Sequence, residues 1–431
     1  MSLPLLVLAL GFAVMGVIGM PVALAMLNSG VLYLLVSGQD LALAAEQILN
    51  GLFNSFVLLA VPLFIFAANV MTAGSISDRL LDFCTALVGR FRGGLAQVDI
   101  LVSIVFSGMS GSAIADAAGT GKVAIEMMVK RGHYPAGFAA AVIAASATIG
   151  PIIPPSIPMV LYALVADTSV GYLFLGGVLP GLVMGGALMA VVAVSARRRG
   201  FGKGEAVPLR ELPERTVRAT PVLVLPVILL GGIYGGIVTP TEAAAVAALY
   251  AILLACVWYR SLSFKGLVQT FIDSARASAV VTLVVAGAFV FNYVVATEQV
   301  PELLAASLAG VDIPPSVFLL LVTVVFLLLG CFLDTTTLLL VLVPLLLPTL
   351  RQLGVDLVHF GVTITVNLMI GLITPPFGVL LFVVNGVTGI PLKSIIQEIW
   401  IFIAVLIAAL VVMILVPETV LWLPRQFGYA G

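Results

Sequence analysis

An apolar run from about Ala136 to Ala166 is interrupted by Gly150-Pro-Ile-Ile-Pro-Pro-Ser-Ile-Pro158, four prolines in nine residues. Proline lacks an amide hydrogen and its ring collides with the preceding turn, so no regular helix runs through this stretch. The flanks are too apolar for a surface loop. In hydrocarbon, carbonyls that lose their helical partners are tolerated only where protein or a water-filled cavity satisfies them. A helix broken at mid-membrane is therefore expected, its free carbonyls turned inward. The pattern recurs at Gly371-Leu-Ile-Thr-Pro-Pro-Phe-Gly378, inside a run from about Phe360 to Asn385. Two broken helices at matching places in two halves of a chain point to a transporter binding site.

The rest of the chain supports a membrane setting. It is 62% hydrophobic and 9% charged, with a mean hydropathy of +1.25. These values describe an integral membrane protein of many helices. A net charge of −1 gives no global field to recruit nucleic acid. Cys84, Cys256 and Cys331 are far apart and fit no metal spacing or disulfide framework. The N-terminus is apolar from Leu3 and has no basic leader, so a retained helix is expected there.

About 20 apolar residues cross a bilayer. Leu3 to Ser37 reads as two helices with a tight joint at Gly19-Met-Pro21. A third span is expected from about Ile48 to Met71, then a charged connection with Asp78, Arg79, Asp82, Arg90 and Arg92. Residues from about 95 to 131 read as a re-entrant hairpin with its tip at Ser107–Ser112. The first broken helix (about 136–166) and a span from Gly171 to Ser195 complete a first unit, residues 1–195. Residues 196–218 hold Arg197, Arg198, Arg199, Lys203, Arg210, Arg215 and Arg218 and read as a basic linker. The second unit, 219–431, has two spans joined near Thr239-Pro240 and a third from about Ser278 to Val295. A hairpin at about 316–350 follows, with legs Val317–Leu329 and Leu338–Leu347, then the broken helix at about 360–385 and a span from Ile395 to Val416.

The halves keep register. Pro21 matches Pro240, Gln47 matches Gln269, Asn69 matches Asn292, Phe138 matches Phe360 and Pro154-Pro155 matches Pro375-Pro376, at offsets of 219 to 223 residues. Near-constant spacing of this kind indicates a duplicated unit. Each unit holds five crossings and one hairpin; five is odd, so the copies lie inverted. The expected fold is an all-α polytopic membrane protein of two inverted repeats, each with about five transmembrane helices (one broken at Pro-Pro) and one re-entrant hairpin. With the linker in the cytoplasm, Arg351 and Arg425 alone among the 19 Lys and Arg residues fall outside, counting Lys122 as inside. Asp40, Glu46, Asp167, Glu298, Glu302 and Asp312 fall outside too, a positive-inside bias.

A helix break offers a cation backbone oxygens and the negative end of a helix dipole. Hydroxyls on the facing hairpin tip complete the shell. This pairs Ser110 and Ser112 with the carbonyls of Gly150, Ile153 and Pro155, and Asp334 and Thr337 with those of Gly371, Thr374 and Pro376. Two similar sodium sites follow. The plainer reading is that these small residues only let helices pack closely. Asp116 and Asp334 are carboxylates at or near the tips; an intramembrane acid is costly and usually functional, although Asp116 also reads as a capping or water-facing residue. Glu242, after Thr239-Pro-Thr, reads as a helix-start cap. An anionic substrate between the tips would take amide groups from half-helix N-termini, with Ser107, Ser156 and Thr336 as hydroxyl contacts. Gly119-Thr-Gly-Lys122 lacks the full spacing of a phosphate loop. His133 and His359 are isolated near span boundaries, and no paired acid–base or metal constellation marks an enzyme.

Ser107-Gly-Met-Ser-Gly-Ser-Ala-Ile-Ala-Asp116, Gly150-Pro-Ile-Ile-Pro-Pro-Ser-Ile157, Thr239-Pro-Thr-Glu-Ala-Ala244 and Gly371-Leu-Ile-Thr-Pro-Pro-Phe-Gly378 together resemble the large membrane subunit of tripartite ATP-independent periplasmic (TRAP) transporters. The resemblance covers essentially the whole chain, with Met109 where a serine is more usual. It implies a multi-pass protein of the bacterial inner membrane that imports organic acids, such as C4-dicarboxylates or sialic acid, on a sodium gradient. It implies a separate small four-helix membrane subunit and a periplasmic substrate-binding protein as partners, with membrane lipid around them. It also implies the elevator fold of the ion-transporter superfamily, in which hairpins and broken helices move as a block against a scaffold. The alternative is a stand-alone divalent-anion/sodium symporter of related hairpin architecture.

Overall fold

The computed structural model describes residues 2–74, 76–119, 121–130, 134–201, 208, 210–308 and 313–431. His133, Lys203 and Asp312, singled out above, lie outside the described residues, as do the side chains of Asp78 and Lys122. Among the described residues, the regular elements are helices.

In the first half, α1 (Leu3–Val17) and α2 (Val22–Ser37) pack as a pair about the Gly19–Pro21 joint. The expected third span is split. A separate helix α3 (Ala42–Asn54) comes first, then a tight turn at Phe56–Leu59 leads into α4 (Ala60–Ala73). The crossing thus starts near Phe56, not Ile48. The charged connection contains a helix, α5 (Ile76–Val88). Next come α6 (Gly94–Ser110), α7 (Ala113–Gly119) and α8 (Gly121–Lys130), so the first hairpin narrows to a tip at Gly111 and Ser112. The first broken helix is α9 (Ala136–Ala147) and α10 (Ile157–Ala166), and α11 (Val170–Arg199) closes the half.

The linker is shorter than expected. Its first residues finish α11, and its last residues begin α12 (Leu212–Tyr234), because Glu211–Arg215 and Glu214–Arg218 pairs at i,i+4 support that first turn. In α13 (Pro240–Ile252, continued by a π turn to Trp258), Thr239 and Glu242 form a reciprocal capping box, as the Thr-Pro-Thr-Glu run predicts. The third span of this half is one 34-residue helix, α14 (Phe264–Thr297), well over the expected Ser278–Val295. A short α15 (Val300–Leu308) precedes the second hairpin, α16 (Pro315–Gly330) and α17 (Thr335–Gln352). The second broken helix is α18 (Leu357–Gly371) and α19 (Val379–Thr388), followed by α20 (Leu392–Leu415) and α21 (Glu418–Gln426).

Among the described residues, seven helices are long and apolar enough to cross a membrane: Phe56–Ala73, α11, α12, α13 to Trp258, α14, α17 and α20. The chain is thus an all-helical, multi-pass membrane protein. The core lies along the first halves of the broken helices. Every residue from Gly137 to Ala147 in α9 and from Val358 to Gly371 in α18 is buried. Helices that are apolar on all sides belong in such a position. Alanine and glycine make it possible in α9: a Cβ on Gly137 would stand 2.5 Å from the Ser394 carbonyl oxygen of α20.

Helix α11 holds the first break in place. A Cβ on Gly177 would collide with the Ile152 carbonyl oxygen, and one on Gly181 with the Ile153 side chain. Gly186, on the same helix, has nothing within 4 Å of that position. Gly177→Leu is therefore expected to destabilise the protein by about 3 kcal/mol, an overpacking cost that fixed backbone cannot relieve. Gly186→Leu should leave stability nearly unchanged. Thermal unfolding of the two variants in detergent checks the contrast.

Candidate functional site

Each hairpin tip meets the break of the helix that follows it. At the first, Gly111 lies in the left-handed region, φ +60°. A Cβ there would sit 2.6 Å from the Pro155 carbonyl oxygen. Gly150 faces the Ser112 backbone, 3.4 Å from where its own Cβ would be. The structure therefore brings Ser112, Gly150 and Pro155 together, with Ser110 directly before the tip. At the second, a Cβ on Gly371 would be 3.1 Å from the Gly330 backbone, and the Phe332 and Phe377 rings lie 5.4 Å apart. Gly150 and Gly371 differ by 221 residues, the separation of the two Pro-Pro pairs. Both pairs are cis.

The oxygens differ in how they are used. The Ala147 carbonyl accepts from the Gly150 amide, and that of Ile149 accepts from Ile152 and Ile153. The carbonyls of Gly150, Ile153 and Pro155 accept no hydrogen bond from the described residues. They are the break's spare acceptors, in a region where Gly150 to Ser156 are all buried. At the second break, the Gly371 carbonyl accepts from the Thr374 amide at 3.0 Å, while those of Thr374 and Pro376 are unengaged among the described residues. The first break's carbonyls are buried, and buried carbonyls do not stay unpaired without reason; a hard cation is one ligand that such oxygens suit.

The side chains are less uniform. Ser110 is fully buried, and its hydroxyl is 3.5 Å from the Ser112 amide. Ser112 receives the Ala115 amide at 3.3 Å and starts α7. Ser107 donates to the Ile104 carbonyl at 2.6 Å. Ser156 caps α10, taking the Met159 amide at 3.3 Å and donating to the Pro151 carbonyl. Asp334 caps α17 by accepting from the Thr337 amide at 3.0 Å and from its hydroxyl. The sequence reads it as an intramembrane acid, yet it stands on the exposed side of its tip, as do Pro376, Phe332 and Phe377. Thr336 is half-buried and Thr337 buried. Thr374 donates to Ile370 at 2.7 Å. The first break is thus enclosed and the second open on one side.

Asp116 is buried in the first turn of α7, which removes the water-facing reading. Three residues escaped the sequence reading. Asp99 on α6 is 2% exposed and accepts from the Ser146 hydroxyl of α9 at 2.8 Å. Asn367 on α18, 221 residues beyond Ser146, donates to the Thr323 carbonyl of α16 at 2.9 Å. One bond in each half thus ties the first leg of a hairpin to the first half of its broken helix. Thr335 at the second tip keeps a buried hydroxyl without a partner among the described residues. Its signal was the Thr335-Thr336-Thr337 run. His359 is a core residue whose Nε2 lies 2.9 Å from the Met413 carbonyl oxygen.

The family model described as "Tripartite ATP-independent periplasmic transporter, DctM component" matches residues 9–419. The sialic acid TRAP transporter large permease protein SiaM of Vibrio cholerae is 40% identical, over 95% of this chain and 96% of its own. The C4-dicarboxylate TRAP transporter large permease protein DctM of Pseudomonas aeruginosa is 38% identical, over 93% of each. The isethionate TRAP transporter permease protein DctMQ of Oleidesulfovibrio alaskensis is also 38% identical, over 96% of this chain but 65% of that one. Among solved structures, the Alcanivorax borkumensis YdaH transporter aligns with a TM-score of 0.63 over 88% of both chains at 14% identity, a likeness of fold.

Proposed function

Because this chain belongs to the DctM-component family of tripartite ATP-independent periplasmic transporters, we propose that it is the large membrane subunit of a sodium-coupled carrier of the bacterial inner membrane, importing a small organic acid. The observation that carries the ion reading is the set of unengaged carbonyls at Gly150, Ile153 and Pro155, in a break whose Gly150 and Pro155 lie against the hairpin tip at Ser112 and Gly111. Sodium is a hard cation that prefers such oxygens, and the C-terminal ends of α9 and α18 add favourable dipoles. The second site joins the carbonyls of Thr374 and Pro376 to Asp334, Thr335 and Thr337.

Sialic acid, C4-dicarboxylates and isethionate, the cargoes named for the relatives, are all anions at neutral pH. An anion between the tips would meet the N-terminus of α10, where Ser156 and the helix dipole favour negative charge, with Thr336 as a second hydroxyl contact. A periplasmic binding protein would deliver it. A small membrane subunit would work beside this chain; the isethionate relative extends over about a third of its length beyond the match.

Two inverted copies moving their hairpins and broken helices as one block is the mechanism this reading favours. It is supported by the repeated order of span pair, span, short helix, hairpin, broken helix and span. The matched ties Asp99–Ser146 and Thr323–Asn367 support it further. No reaction chemistry enters this proposal. Uptake into proteoliposomes containing the complete transporter tests the coupling. Sodium on the outside is expected to drive accumulation, and transport that runs equally well with potassium in its place would sink the ion assignment.

A further inference from the structure

Where the first hairpin begins, the chain makes a cavity of about 500 Å³ against the end of α11, lined by Arg90, Phe91, Arg92, Gln97, Met189 and Arg197 together with Ala190 and Ala193. Gly93 makes the approach possible. It has φ +73°, and a Cβ on it would stand 3.0 Å from Val192 and 3.1 Å from Ala196. The loop carrying Arg90 and Arg92 is thereby pressed onto α11 beside Arg197. Three guanidinium groups line one cavity, and no acid is among the lining residues. None of the three makes an ion pair among the described residues. A second cavity, near α5 and α12, is different. There Arg79, Arg215 and Arg218 are matched by Asp82, Glu211 and Glu214.

Beneath the arginines, the floor is apolar: Met189, Ala190 and Ala193 on a helix long enough to cross the membrane. Gln97 adds a specific polar feature. It is 4% exposed, and its Nε2 donates to the Met189 carbonyl at 2.8 Å, but its Oε1 is buried without a partner among the described residues. A buried acceptor of this kind waits for a donor. A ligand that fits must carry an anion for the arginines, a hydroxyl for Gln97 and a hydrocarbon chain for the floor.

We propose that this cavity binds an anionic phospholipid with a hydroxyl in its head group, the phosphate against Arg90, Arg92 and Arg197, a head-group hydroxyl donating to Gln97 Oε1, and one acyl chain along α11. Each arginine at a membrane surface strengthens anionic lipid binding by roughly fivefold. Arg92→Gln/Arg197→Gln should therefore weaken it about 30-fold.

The test is a native mass-spectrometry titration of the detergent-purified full chain with dioleoyl phosphatidylglycerol, phosphatidic acid and phosphatidylcholine. Wild type is expected to prefer phosphatidylglycerol to phosphatidylcholine, and the double variant to lose that preference while melting at the wild-type temperature. Arg215→Gln/Arg218→Gln, which removes the same charge from the balanced cavity, should keep it. Gln97→Leu should bring phosphatidylglycerol down to the level of phosphatidic acid. Equal binding of phosphatidylglycerol and phosphatidylcholine by wild type overturns the site, whatever the variants do. Equal loss in both arginine pairs overturns it as well, because binding then follows net charge. Displacement of the lipid by glycerol phosphate at equal concentration makes it a site for a free anion, and a preference unmoved by Gln97→Leu removes the hydroxyl contact.

Discussion

Gly111→Val is expected to abolish sodium-driven uptake while the protein still reaches the membrane. Gly111 has φ +60°, a conformation that costs a residue with a Cβ about 1–2 kcal/mol. The larger effect is positional. The new Cβ would sit 2.6 Å from the Pro155 carbonyl oxygen, so tip and break must move apart. That oxygen is one of the spare acceptors of the first break, and a displacement near 1 Å in a preorganised site costs on the order of 100-fold in rate. Gly111→Ala should fall between wild type and valine. Initial uptake rates normalised to membrane abundance measure the effect. Wild-type rates in the valine variant would show that the contact between tip and break has no part in transport.

Asp334→Asn should raise the sodium concentration for half-maximal uptake roughly tenfold or more, a loss of at least about 1.4 kcal/mol in ion binding. Asparagine caps helices as well as aspartate does, so the start of α17 should survive the change. Asp334→Ala removes both charge and cap. It should show the same sodium defect together with about 1 kcal/mol lower stability. Comparing the two separates the roles, because the cap is visible in melting and the ion ligand in the sodium titration. If asparagine leaves the titration untouched, Asp334 is a cap and nothing more.

How far the sequence led depended on whether a signal was local. The breaks were legible because Pro154-Pro155 and Pro375-Pro376 forbid continuous helix wherever the chain is apolar. The capping box at Thr239 was legible because its partners are three residues apart. The Asp99–Ser146 tie was not, since the partners are 47 residues apart and each looks ordinary in its own segment. Matched positions also adopted different local structure. Gln47 and Gln269 lie on corresponding helices, yet α3 ends at Asn54 before α4 begins, while α14 continues unbroken from Phe264 to Thr297. Asn54-Ser55 is a weak helix pair that packing decides. The exposure of Asp334 was missed for a related reason, because hydropathy reports the company a residue keeps along the chain, not which side of a tip it faces.

The two ties between hairpin and half-helix bear on how tightly a gradient can be harnessed. Asp99 is 2% exposed and Asn367 fully buried, and parting either from its partner strands a polar group at about 1–3 kcal/mol. Loosening one hairpin from its half-helix is therefore penalised in both halves of the molecule. Under the proposed coupling, the oxygens that would hold the ion and the tip that would cover the cargo share one frame of reference. Slippage, in which one passenger crosses while the other stays behind, is then suppressed by the internal rigidity of the frame and needs no separate gate.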